Sequence, residues 1–222
     1  SKEKNYLPVL MYPSTEISND EHLGPEANKK LIEAMRKAGD IQCVSSVNTP
    51  KDIVTAQYLD HIMVNFGTRF DMAQAERIHA AGAKLWFQNI GVNRYTEGVL
   101  MIKTDAVGRR QFTAHSYLIS KQYYYPMGTV PKIGLKWAEE GIDDQRYYYC
   151  LKDLITEAKK SGKALREATE AEKEIEEIMA MIPVSPGDSG IKKAMDIEVM
   201  PDGFTDLSGF KDKNVFDKIR LR

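Results

Sequence analysis

Residues 61–90 read HIMVNFGTRFDMAQAERIHAAGAKLWFQNI, and their pattern decides the fold. The stretch opens on a short apolar run, His61 to Phe66, and passes into DMAQAERIHAAGA, a helical segment closed by Gly82. It then returns to a second apolar run, Lys84 to Ile90. Two short apolar runs separated by a helix are the sequence form of a βα unit in a parallel sheet. The same order recurs upstream. VLMY (residues 9–12) precedes PEANKKLIEAMRKAG (residues 25–39), in which Ala27, Leu31, Ala34, Met35 and Ala38 recur at helical spacing and Gly39 supplies the stop. IQCVSSV (residues 41–47) follows, and TPKDIVTAQYLD (residues 49–60) predicts a brief helix before His61. Downstream, the loop GVNRY separates the fourth run from EGVLMIKTD (residues 97–105), which reads as a fifth strand. The expected class is α/β, with four to five parallel strands and their helices.

The ends of these runs share a character. They close in Ser14-Thr15-Glu16, in Ser46 and Asn48, in Asn65, in Gln88-Asn89 and in Thr104-Asp105. Parallel strands all point their carboxyl ends to one edge, and in α/β folds that edge binds ligands. Strand ends also favour Ser, Asn and Asp as caps and turn formers, so any one of these residues has an ordinary explanation. Their succession points to a shared polar cleft that includes Glu16.

Composition removes several function classes. With 222 residues, 42% hydrophobic and 28% charged, the chain has material for a core, and a net charge of -1 leaves no electrostatic footprint for nucleic acid or an anionic membrane. No apolar run approaches the roughly 20 residues that cross a bilayer. Cys43 and Cys150 stand apart without disulfide-framework or zinc spacing and read as buried thiols. His22, His61, His79 and His115 are scattered, so no metal is expected. Neither GxGxxG nor GxxxxGK[ST] occurs, and no cofactor is expected.

Two segments carry a family likeness. WFQNIGVNRYTEGVLMIKTDAVGRRQF (residues 86–112) resembles the seventh and eighth strands of barrel glycoside hydrolases similar to glycoside hydrolase family 123. PKIGLKWAEEGIDDQRYYYCLKDLI (residues 131–155) resembles the helix that follows the last strand in those enzymes. The resemblance implies the C-terminal half of a (β/α)8 TIM barrel over residues 1–130, with a helical extension over 131–222 packed on it. It implies hydrolysis of O-glycosidic bonds, with an N-acetylhexosamine-containing glycan as the substrate class. The alternative is a noncatalytic carbohydrate-binding or assembly module that keeps the fold. By strand count Glu16 is the counterpart of the family's catalytic carboxylate, and Thr15 stands where the family places an Asp. Because half a barrel exposes two edges and an apolar interior, three arrangements are open: a piece of a longer product, a missing half supplied by a partner or second copy, or a different closure.

Glycosidic hydrolysis needs a protonated carboxyl group for the leaving oxygen and a second group as nucleophile, base or anchor. Glu16 is the expected acid, with a pKa raised by burial or a neighbouring carboxylate, and Asp105 is the expected second group. Gln88 and Asn89 sit where many retaining barrels carry a nucleophilic Glu; amides cannot take that role but can bind sugar hydroxyls. Trp86, Arg94 and Tyr95 suit a carbohydrate cleft, since aromatic rings stack on sugar faces and Arg binds oxygens, although Trp86 between Leu85 and Phe87 also reads as core. Thr15, Asn48 and Asn65 complete the expected binding set. Asp143 and Asp144 read as opening and capping a helix, and Arg146 as pairing with a nearby carboxylate. DDQRYYYCLKDLITEAKKSG and ALREATEAEKEIEEIMAMI predict two antiparallel helices, with stripes through Tyr147, Leu151, Leu154, Ile155 and Ala158 and through Leu165, Ile175, Ile178, Met179 and Ile182. A Pro- and Gly-rich loop and a terminal amphipathic segment, NVFDKIRLR, are expected after Ile182.

Overall fold

A computed structural model of the chain describes residues 10–13, 17, 24–65, 70–90, 94–110, 119–125, 128–131, 133–182 and 184. Glu16, Thr15, the loop after Pro183 and NVFDKIRLR lie outside the described residues. The chain forms two compact units, one made of residues 1–90 with 105–112 and the other of 91–104 with 113–222.

The first unit is built on a parallel sheet. Its strands are β1 (Leu10–Met11), β2 (Gln42–Val47), β3 (His61–Asn65), β4 (Lys84–Gln88) and β5 (Gly108–Arg110), paired in the order β1-β2-β3-β4-β5. Every pair is parallel. Helices α1 (Pro25–Ala38) and α2 (Met72–Ala80) and a 3₁₀ helix (Pro50–Gln57) make the crossovers. A doubly wound sheet reverses its strand order at a switch point, whereas a barrel adds each strand beside the last. The strictly sequential order is therefore that of a partial α/β barrel; the repeated strand-helix pattern predicts the parallel α/β class.

Local chemistry sets the boundaries. Pro25 occupies the first turn of α1, where its missing N–H costs nothing. Asp71 and Gln74 form a reciprocal capping box at α2, at 2.9 and 3.0 Å, and Gly82 with φ 84° turns the chain out of that helix. Thr49 donates to the Asp52 carboxylate from both its hydroxyl and its amide, at 2.7 and 3.2 Å, which opens the 3₁₀ helix.

Alternation along the strands gives the sheet two different faces. Cys43, Val47, Ile62, Val64, Leu85 and Phe87 share the face turned to the helices and are buried with Ile32, Ile53 and Ile78. Phe70 meets Phe87 edge to face, with ring centroids 5.3 Å apart. The register places Ser46, Met63, Trp86 and Gly108 level on the opposite face, with Asn65, Gln88 and Arg110 one step nearer the carboxyl edge. A Cβ on Gly108 would stand 2.8 Å from the Trp86 indole, so this strand carries glycine to admit the ring.

The second unit corrects two expectations. EGVLMIKTD is not a strand: a π-helical turn (Tyr95–Val99) runs directly into α3 (Leu100–Thr104). Tyr95, Thr96, Gly98, Val99, Leu100, Met101, Ile102 and Thr104 are all buried. A short helix enclosed on nearly every side has no amphipathic period, so its sequence resembles a buried strand. The fifth strand is formed instead by Gly108–Arg110. The helix expected to open at Asp143 already begins at Ile133, in α4 (Ile133–Ser161), which leaves Asp143 and Asp144 in its interior. Helix α5 (Leu165–Met181) follows through Gly162 and Ala164, both at positive φ, and packs against α4. An antiparallel hairpin of β6 (Ile119–Tyr125) and β7 (Gly128–Pro131) completes the described part. Ile155, Ala168 and Ile178 are buried, whereas Tyr147, Leu154 and Leu165 are exposed, so the expected apolar stripes only partly coincide with the packed faces. Lys103 donates its ammonium to the carbonyls of Met179 and Ile182, satisfying acceptors at the end of α5.

The π turn and α4 meet at two glycines. A Cβ on Gly98 would lie 2.8 Å from the Gly141 carbonyl oxygen, and one on Gly141 would lie 2.7 Å from the Arg94 carbonyl oxygen and 2.9 Å from the Gly98 nitrogen. These neighbours are backbone and cannot swing aside. At an exposed helical site Gly→Ala gains about 1 kcal/mol of propensity, but forcing a methyl group into a filled space costs about 1–3 kcal/mol. Gly141→Ala is therefore expected to lower the urea midpoint.

Candidate functional site

The carboxyl edge of the sheet, on the face turned away from the helices, carries a band of polar side chains. The Tyr12 hydroxyl and Ser46 Oγ are hydrogen-bonded at 2.8 Å. Asn65 Nδ2 donates to Asn48 Oδ1 at 2.6 Å, and Asn89 Nδ2 donates to Asn65 Oδ1 at 3.2 Å. These bonds hold three amides from three successive strand ends in one chain. Asn89 has φ 56°, a left-handed conformation that Asn tolerates better than other side chains, and its amide N–H donates to the Arg110 carbonyl at 3.0 Å. Gln88 lies level with Asn65 on one side and Arg110 on the other. It is only 6% exposed, and its Oε1 accepts no hydrogen bond among the described residues. The Arg110 guanidinium stands over the Tyr12 ring at 5.2 Å, a cation–π contact.

One layer deeper, Trp86 Nε1–H donates to His61 Nδ1 at 2.9 Å, with the rings edge to face at 5.8 Å. An imidazole that accepts at Nδ1 carries its proton on Nε2 and is neutral. Burial, then the Lys84 ammonium, pull the His61 pKa below its usual value, and the Asp60 carboxylate opposes them. A histidine with a lowered folded pKa binds fewer protons folded than unfolded. Stability is then fully present above the unfolded pKa of about 6.5 and declines as pH falls below it, until the folded pKa is reached. Protonating Nδ1 also removes the acceptor of the indole bond. Acidification below pH 6.5 is expected to shift Trp86 fluorescence and the thermal midpoint together, and His61→Phe should flatten both responses.

Within the first unit the structure assembles part of the expected set and leaves Asp105 apart. Asn48, Asn65, Gln88 and Asn89 come together as one group, with half-buried Trp86 in the layer below. Asp105 does not join them. It is exposed, with φ 50°, and precedes β5, while Val107 N–H donates to the Leu85 carbonyl near the start of β4. That is the amino edge of the sheet, opposite Gln88. Arg94 and Tyr95 belong to the second unit and are engaged in its packing. Arg94 Nε and Nη2 grip the Asp144 carboxylate at 2.7 and 3.0 Å, and Tyr95, wholly buried, donates its hydroxyl to the Val184 carbonyl at 3.0 Å. Burial drives the Tyr95 pKa far upward and keeps the phenol neutral.

Tyr12, Ser46 and Arg110 were not among the expected binding residues. For Ser46 and Arg110 the missing information was strand register, since only pairing shows which residues stand level. Asp144 reads as a cap in the sequence, yet Ala138, Gly141 and Asp144 follow one another at three-residue helical spacing and are all buried. Arg146 does pair with Asp143, at 2.8 Å on the surface.

The band holds no carboxylate among its described residues, and its amides and hydroxyls can both donate and accept. Among the described residues, no group of three or more His, Cys, Asp or Glu is gathered as for a metal ion, and no helix is long and apolar enough to cross a membrane. No family model matches the chain, and neither a curated protein nor a solved structure matches it.

Proposed function

We propose that the polar band is the carbohydrate-binding face of a glycoside hydrolase-like barrel. The observation that supports this most is the Asn48–Asn65–Asn89 chain of amides beside the buried carbonyl of Gln88, which accepts no hydrogen bond among the described residues. Sugar hydroxyls donate and accept at once, and planar amides held in place offer both functions without a net charge. Tyr12 and Trp86 add aromatic surface of the kind that stacks on the apolar faces of sugar rings. Binding of this class does not require catalysis. Hydrolysis is the second reading, with Glu16 as acid. It draws support from Ile17, the next residue in the chain, whose amide donates to the Ser46 carbonyl at 3.2 Å.

Titration calorimetry against a panel of soluble oligosaccharides tests the binding reading. Asn65→Ala removes the central amide, and its expected effect is a loss of affinity of about tenfold, the equivalent of one to two hydrogen bonds. A parent chain that binds no glycan in the panel refutes the proposal. For hydrolysis, aryl glycosides should be cleaved by the parent and not by Glu16→Gln; equal rates in the two would remove Glu16 from the chemistry.

A further inference from the structure

We infer that Gln88 is the specificity-determining residue of this face and that its buried carbonyl accepts a hydrogen bond from a ligand hydroxyl. The inference rests on the carbohydrate reading above and goes further, by naming the atom that reads the ligand and the group it reads.

Nearly all buried polar atoms in folded proteins have a partner, because burying one without a partner costs stability. Gln88 Oε1 is buried and has none among the described residues. The neighbours level with it have other engagements. Asn65 uses Nδ2 on Asn48 and Oδ1 on Asn89, and the Arg110 guanidinium lies over the Tyr12 ring. Met63 and Trp86 belong to the next layer, and the Trp86 N–H is given to His61. Gln88 Oε1 is thus a buried acceptor with no hydrogen bond among the described residues, level with Asn65 and Arg110. A site built to bond a hydroxyl rejects an analogue lacking that hydroxyl far more strongly than an apolar pocket rejects an extra group, because the buried acceptor is then left bare.

The test uses Gln88→Met, which keeps the size of the side chain and removes the amide. Thermal unfolding of the variant is expected to shift upward by about 2–4 °C, since an unsatisfied buried group is removed. Affinity is then measured for methyl glycosides of glucose, galactose, N-acetylglucosamine and N-acetylgalactosamine and for their monodeoxy counterparts. In the parent, deleting one particular hydroxyl should weaken binding by about tenfold or more; in Gln88→Met the same deletion should make no difference, as in a double-mutant cycle. A downward thermal shift, or failure of the variant to fold, shows that the carbonyl already has a partner and overturns the inference. Unchanged sensitivity to every deoxy sugar in the variant overturns the assignment of Gln88 while leaving the carbohydrate reading standing. A parent that binds none of the glycosides removes both.

Discussion

Asp144→Ala lowers the free energy of unfolding by about 3–5 kcal/mol, the range expected when one partner of a buried ion pair is removed. The Asp144 side chain is fully buried and that of Arg94 is 10% exposed, with Nε and Nη2 of the guanidinium bonded to separate carboxylate oxygens. Bidentate geometry fixes both planes and makes each charge the other's main compensation. Truncation leaves the guanidinium in a low-dielectric setting without its carboxylate. The Arg146–Asp143 pair on the same helix provides a contrast. Its side chains are 74% and 46% exposed, and Asp143→Ala is expected to cost at most about 1 kcal/mol. The double variant Arg94→Met/Asp144→Leu should be closer to the parent than either single change, because two matched apolar groups carry no uncompensated charge. Urea unfolding of the parent, the single variants and the double variant decides the matter. An Asp144→Ala cost near that of Asp143→Ala would show that the buried pair contributes nothing special to joining the π turn to α4.

The difference between the two aspartates also shows where sequence reading stopped. Adjacent acidic residues after Gly141-Ile142 look like a helix start, because Asp favours caps and Gly favours breaks. Gly141 is there for another reason: the backbone of the 94–98 turn passes within a methyl group's reach of it. That contact joins segments more than forty residues apart and leaves no local signal. In the first unit the reverse holds. His61 to Asn65 and Lys84 to Gln88 are strands because their apolar runs are short, β-branched or aromatic, and bounded by capping and turn residues. The strand-helix alternation gave the parallel sheet but not the order of its strands, which only pairing shows. The polar band was half legible, since Asn48, Asn65, Gln88 and Asn89 could be read as strand ends. Asp105 was placed at the carboxyl edge by the reading of a fully buried helix as a strand, whereas it precedes β5 at the amino edge.

Phe87→Ala is the second large effect, at about 3–5 kcal/mol, the usual cost of deleting a buried ring together with the cavity it leaves. Phe87 is wholly buried, sits on a strand paired on both sides, and meets Phe70 edge to face. Phe87→Leu should cost distinctly less, since it refills most of the space and loses mainly the ring contact. The informative comparison is with the next residue. Phe87 faces the helices and Gln88 faces the polar band, and a register slip of one residue would exchange them. Truncating the first is expected to destabilise the protein, while replacing the second with Met is expected to stabilise it. Opposite signs at successive positions follow only from a strand whose two faces have different chemistry. If both substitutions lowered stability by similar amounts, β4 would be an ordinary core strand with two apolar-tolerant faces, and the carboxyl edge would lose its claim to be a binding surface.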